Sequence, residues 1–110
     1  VMNIIGIVEG KKCLLVDDMI DTGGTIVQGA QALVDAGATN IYACCTHAVL
    51  SGPAIERIEK SPIEELVVLD TIYLPEEKRL PKMKILTTAD IFAAAIENVY
   101  LDKPMSKIYD

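Results

Sequence analysis

The run Cys13-Leu14-Leu15-Val16 constrains the fold most. It is apolar without alternation, so a strand through it, from Lys12 to Asp17, is expected to bury both faces. Strands of that kind belong to parallel sheets covered by helices. Similar runs return at Ile41–Thr46, at Leu66–Leu69 within Ile63–Asp70, and in short form at Met83–Leu86. Amphipathic segments separate them. Ile26, Ala30, Leu33 and Val34 share one face of a helix predicted over Thr25–Ala36. Thr25 with Gln28 fits a capping box, and Gly37 stands where a left-handed C-terminal residue belongs. Gly29, inside that helix, costs about 1 kcal/mol relative to Ala and implies close packing on the sheet.

Pro53 suits the first turn of a short helix through Lys60. A last helix is predicted over Ala89–Tyr100, with Thr87 and Asp90 as a capping box and Ile91, Ala95, Ile96 and Val99 as its apolar stripe. Glu9-Gly10-Lys11 is a turn, His47–Gly52 a loop and Thr71–Pro81 an exposed connection. Met2–Val8 reads as an irregular strand or a link, and the tail from Asp102 is polar. The alternation predicts an α/β fold: a three-layer, mainly parallel sheet with helices on both faces and right-handed crossovers. Ligands of such sheets sit beyond the carboxyl ends of the strands, where Asp17–Thr25 and His47–Gly52 fall.

With 110 residues the chain makes one small domain, and 51 % apolar residues suffice for a core. The core must rest on Ile, Leu, Val and Ala, since Trp is absent and aromatics are scarce. A net charge of -6 disfavours nucleic acid and anionic membranes as partners. Glu56, Glu59, Glu64, Glu65, Glu76 and Glu77 read as a solvated surface. Cys13, Cys44 and Cys45 lie in strand-like runs, and adjacent Cys44 and Cys45 point to opposite faces, so neither a disulfide between them nor a metal site is expected. That usage fits a reduced, cytoplasmic setting. No apolar run is long enough to span a bilayer.

The loop after the first strand carries the chemistry. In Val16-Asp17-Asp18-Met19-Ile20-Asp21-Thr22-Gly23-Gly24-Thr25, acidic side chains stand beside glycines that let a ligand approach backbone N–H groups. A helix dipole and the Thr22 and Thr25 hydroxyls add to an anion site. Asp17 and Asp18 alternate in direction: one can meet a ribose diol or a Mg2+ shell, the other the backbone of its own loop. A plain strand-to-helix turn would use the same residue types. Walker-type and dinucleotide-type glycine spacings are both absent.

The same ten residues resemble the phosphoribosyl-diphosphate signature of type I phosphoribosyltransferase folds. Further stretches narrow the resemblance: Gly37-Ala38-Thr39, Tyr42-Ala43-Cys44-Cys45-Thr46-His47, and Leu50-Ser51-Gly52-Pro53-Ala54 with Arg57. Glu65-Leu66-Val67-Val68, Leu74-Pro75-Glu76-Glu77-Lys78 and Ala93-Ala94-Ala95-Ile96 extend it over nearly the whole chain. Together they resemble the C-terminal part of ribose-phosphate pyrophosphokinase (phosphoribosyl-diphosphate synthetase). That family of transferases serves nucleotide biosynthesis. It moves the β,γ-diphosphate of MgATP to the C1 hydroxyl of ribose 5-phosphate, giving phosphoribosyl diphosphate and AMP.

The resemblance implies that Asp21, Thr22, Gly23, Gly24 and Thr25 hold the 5-phosphate and that Asp17 holds ribose hydroxyls, with Asp18 accessory. ATP and Mg2+ belong to the parent enzyme, and no direct metal ligand is expected here. The family's catalytic Lys and Arg, its diphosphate loop, its ATP site and its first domain all lie upstream in that enzyme. No catalytic residue is therefore expected in residues 1–110, which are expected to form the C-terminal part of one phosphoribosyltransferase-like domain. Val1 in place of an initiator Met agrees with a piece of a longer protein. A sheet without its upstream strands exposes an apolar edge, so homo-oligomers are expected. The tail Pro104-Met105-Ser106-Lys107-Ile108-Tyr109 departs from the family's Ser-rich, effector-binding end. The loop alone also permits another phosphoribosyltransferase, and the fold permits a catalytically dead regulatory homologue. His47 reads as a structural hydrogen-bonder and Ser51 as a turn or cap residue.

Overall fold

A computed structural model describes residues 4–109. Four strands, β1 (Lys12–Ile20), β2 (Asn40–Ala48), β3 (Ile63–Leu69) and β4 (Met83–Leu86), alternate with helices α1 (Gly24–Asp35), α2 (Ala54–Glu59) and α3 (Ala89–Tyr100). The strands form one parallel sheet in the order β1-β2-β3-β4. The expected parallel α/β arrangement is therefore present. Short 3-10 turns occupy Glu76–Lys78 and Met105–Tyr109. Residues 4–8 of the predicted N-terminal stretch join no strand of the sheet; residues 2 and 3 lie outside the described residues.

β1 and β2 run further than their apolar runs. β1 continues through Asp17, Asp18 and Met19 because it pairs with β2 as far as Ile20 opposite Ala48. His47 and Ala48, expected in a loop, are thus the last residues of β2. Cross-strand pairing overrides the low strand propensity of Asp.

The core lies on one face. Ile41, Ala43 and Cys45 point inward from β2 and pack with Ile26 and Ala30 of α1 and with Ala54 and Ile58 of α2. Ile63, Leu66 and Val68 extend the same layer on β3. Each fully buried Ile or Leu contributes roughly 1.5–3 kcal/mol. Burial also pushes the Cys45 thiol up to about 11, with desolvation as the main cause, so it is protonated at neutral pH.

The predicted burial of both faces of β1 and the third layer are not formed among the described residues. Leu14 and Val16 of β1 stay 61 % and 73 % exposed, and α3 buries none of its residues. Its stripe is present but faces no partner: Ile91, Ile96 and Val99 are all exposed. The physical reason is that both amphipathic helices that pack, α1 and α2, share one core. The Cα radius of gyration, 16.7 Å, reflects this, because a compact chain of this length would have about 13 Å.

Neither predicted capping box forms. α1 begins one residue early, at Gly24, with left-handed Gly23 as its cap residue, so Thr25 is already inside the helix. At its other end Gly37 (φ 97) behaves as expected: Gly37 N–H donates to the Val34 carbonyl at 2.9 Å and Ala38 N–H to that of Leu33 at 3.0 Å, the Schellman pattern. At the start of α3 the Thr87 hydroxyl accepts the Ala89 N–H at 3.0 Å, so Thr87 caps the helix without closing a box to Asp90. Thr88 donates its N–H (2.8 Å) and hydroxyl (2.7 Å) to Oδ1 of Asp70, at the end of β3. These two bonds, hydroxyl first, hold the Asp70 carboxyl below its ordinary value of 3.8. A carboxyl with a depressed folded value stabilises above its unfolded value and loses that effect as pH falls through the folded one. The Thr88 amide is therefore expected to lose protection, measured against its intrinsic exchange rate, as pH falls below about 4. In Asp70→Ala that protection should be missing already at neutral pH. An unchanged exchange profile in that variant would contradict the Asp70–Thr88 bonds.

Candidate functional site

The loop from β1 to α1 lies at the carboxyl end of the sheet, as predicted. Asp17, Asp21, Thr22, Gly23, Gly24 and Thr25 line one concavity there together with Met19, Ile20 and Ile26; Asp18 does not. Its volume is about 190 Å³. Sites for drug-sized ligands run to roughly 300–1,000 Å³, so this one suits a small polar group rather than a whole nucleotide.

Its floor is backbone. Val27 N–H donates to the Gly23 carbonyl at 3.1 Å, the first turn of α1. Among the described hydrogen bonds, the N–H groups of Thr22, Gly23, Gly24, Thr25 and Ile26 donate to no protein acceptor. The first turn of α1 carries no acidic residue to oppose an anion. Free N–H groups at the start of a twelve-residue helix are a ready anion cradle.

Of the two vicinal acids, Asp17 accepts the Asp18 N–H on its Oδ1 at 2.8 Å, within β1. The second Asp17 oxygen remains to meet a ligand hydroxyl. Asp21 is tied from its side: the Ser51 hydroxyl donates to Oδ1 of Asp21, and Ser51 N–H donates to the Asp21 carbonyl at 2.8 Å. Ser51 is thus a loop-joining residue, consistent with a turn or cap role.

His47 is a structural hydrogen-bonder. The Thr71 hydroxyl donates to the Thr46 carbonyl at 3.1 Å, which uses its one proton. The 2.7 Å contact between His47 Nδ1 and Thr71 Oγ1 therefore has Nδ1–H donating. Arg57 entered the sequence reading only through the resemblance. In the fold its Nη1 reaches the Thr22 carbonyl at 3.2 Å. The two partners are 35 residues apart, so no local pattern could reveal the contact.

Gly23 is required by its backbone: its φ of 81° is left-handed, while a Cβ there would meet Ala54 only at ordinary contact distance, 3.4 Å from its Cα. Gly23→Ala is expected to destabilise the chain by about 1–2 kcal/mol. Denaturant unfolding reads this directly, and an unshifted midpoint would count against the strain.

Comparison with known proteins agrees with this geometry. The family model for the phosphoribosyl synthetase-associated domain matches residues 1–110. Ribose-phosphate pyrophosphokinase of Clostridium acetobutylicum is 60 % identical over 109 residues, covering 99 % of this chain and 34 % of that protein. Ribose-phosphate pyrophosphokinase 1 of Streptococcus pyogenes serotype M3 is 56 % identical over 110 residues, again 34 % of its length. A solved structure of phosphoribosylpyrophosphate synthetase from Mycobacterium smegmatis superimposes with a TM-score of 0.87 at 40 % identity, covering 89 % of this chain and 33 % of that one. The chain spans about a third of the length of the relatives it matches. A match over residues 1–110, with relatives 56–60 % identical along the chain, leads to one conclusion: the chain belongs to the phosphoribosyl synthetase-associated domain family.

Proposed function

We propose that this chain forms the ribose 5-phosphate side of the active site of a ribose-phosphate diphosphokinase. The observation that carries the reading is the cradle of free N–H groups at Thr22–Ile26 beside Asp17, in a chain 60 % identical to a relative of that name. The N–H groups take the 5-phosphate. Asp17 accepts from ribose hydroxyls through the oxygen that Asp18 leaves free. Asp21 contributes mainly by holding the loop to Ser51.

In the whole enzyme the C1 hydroxyl attacks the β-phosphorus of ATP in line. The bond from that phosphorus to the α,β-bridging oxygen breaks, and AMP leaves. Catalysis of this kind is positioning plus charge neutralisation. This chain supplies the positioning of the acceptor. Among the described residues no three His, Cys, Asp or Glu side chains converge on a metal position. The assignment to the C-terminal end of the parent rests on the resemblance alone. Three free thiols agree with a reduced, cytoplasmic setting, and no helix among the described residues is long and apolar enough to cross a membrane.

Ribose 5-phosphate is expected to shift the amide resonances of Gly23, Gly24 and Thr25, while ATP with ribose 5-phosphate yields no AMP. Unshifted amides, or turnover by this chain alone, would contradict the assignment.

The sheet also supports self-association. β1 is an edge strand with exposed Leu14, Val16 and Met19. Such an edge invites pairing with another chain. The same surface is where a three-layer, phosphoribosyltransferase-like arrangement would be completed. Sedimentation velocity across a concentration series should show species larger than a monomer. A monomer throughout would remove this part of the proposal.

A further inference from the structure

Three successive carbonyl oxygens of the β1–α1 loop are taken up on one side. The Ile20 carbonyl accepts from Val49 and Leu50 N–H at 3.1 and 3.0 Å, and the Asp21 carbonyl from Ser51 N–H at 2.8 Å. The Thr22 carbonyl accepts from Nη1 of Arg57 at 3.2 Å. No cis peptide occurs among the described residues, and a trans peptide sets its N–H opposite its carbonyl. The N–H groups of Thr22 and Gly23 are therefore turned away from the β2–α2 segment, and they donate to no protein acceptor. They continue directly into the free N–H groups at the start of α1.

Of the three anchors, only the last is a side chain. Arg57 is not part of the lining of the concavity. Its guanidinium stands behind it: a Cβ on Gly24 would lie 3.2 Å from Nη1. A side chain at position 24 would crowd that contact. Among the described residues, the ion pair on α2 joins Lys60 to Glu56, and no carboxylate pairs with Arg57. Its positive charge is left to the loop.

We infer that Arg57 is a positioning residue for the phosphate end of this site. Its bond to the Thr22 carbonyl turns the Gly23 N–H toward the anion, and its charge backs the cradle without touching the ligand. The inference rests on the proposed binding of ribose 5-phosphate. It explains how an acidic chain keeps an anion site free of cationic side chains in its lining. It also assigns a task to α2, a helix of six residues that otherwise only fills the core.

The test uses Arg57→Met and Arg57→Lys in the full chain, with two readouts. Residual dipolar couplings of the Thr22–Thr25 N–H vectors, without ligand, report the aim of the cradle. A ribose 5-phosphate titration reports its strength. Arg57→Met is expected to change the Gly23 coupling and to weaken binding about tenfold, while couplings elsewhere in the sheet hold. Arg57→Lys keeps a charge and one donor, so it is expected to restore the Gly23 coupling and most of the affinity. A merely structural role would not separate the two variants in this way. An unchanged Gly23 coupling or an unchanged affinity in Arg57→Met overturns the inference. If the wild-type chain itself does not bind ribose 5-phosphate, the proposed function fails, and the couplings alone still decide whether Arg57 aims the loop.

Discussion

The site depends on how the end of β1 is fastened to the segment after β2. Val49, Leu50 and Ser51 donate backbone N–H groups to the carbonyls of Ile20 and Asp21, and the Ser51 hydroxyl binds the Asp21 carboxylate. These bonds continue the β1–β2 pairing past its last register pair, Ile20 with Ala48. They fix the path of the chain into Gly23, whose left-handed φ starts α1 at the angle that leaves its first N–H groups facing solvent. A buried backbone group without a partner is costly, so a loop whose carbonyls are all engaged on one side has little freedom to turn them. The row of unpaired N–H groups at Thr22–Ile26 follows from that one-sided engagement.

Packing enforces the same arrangement. Gly23 lies against Ala54, at the start of α2, so the loop and the second helix are in contact. Ala54 and Ile58 are fully buried in the core beneath. The α1–α2 layer is thus both the covering of one sheet face and the wall against which the functional loop is set. On the opposite face Leu14 and Val16 of β1 stay exposed, while Tyr42 and Cys44 of β2 and Val67 and Leu69 of β3 are half-buried, and α3 keeps its stripe exposed. The molecule is half core and half unsatisfied surface. The satisfied half carries the loop.

Periodicity made the element order legible. β3, β4, α2 and α3 lie within a residue or two of their predicted bounds, because apolar runs and stripes are local properties. Asp18, Met19, His47 and Ala48 were the residues misplaced between strand and loop. Pairing partners decided their state, and those partners are far away in sequence. The capping box at Thr25 gave way to a left-handed glycine, whereas Thr87 does accept the first N–H of α3 and only its return bond from Asp90 is absent, with Asp70, just past β3, holding Thr88 instead. Of the candidate site, Asp17 and Asp21–Thr25 were legible as a group, since a strand, acids, glycines and a helix follow one another directly.

The sequence alone determined the alternation of strand and helix, the place of the acidic-glycine loop at a strand end and the kinship of the chain, because each is carried by contiguous residues. Tertiary structure alone decided which loop carbonyls are engaged, and hence where the N–H groups point. It also decided that Arg57 stands behind Gly24, that Asp17 accepts the Asp18 N–H, and that Leu14 and Val16 of β1 stay exposed. Each of these depends on which distant segments meet, and burial and hydrogen-bond direction exist only once they have met.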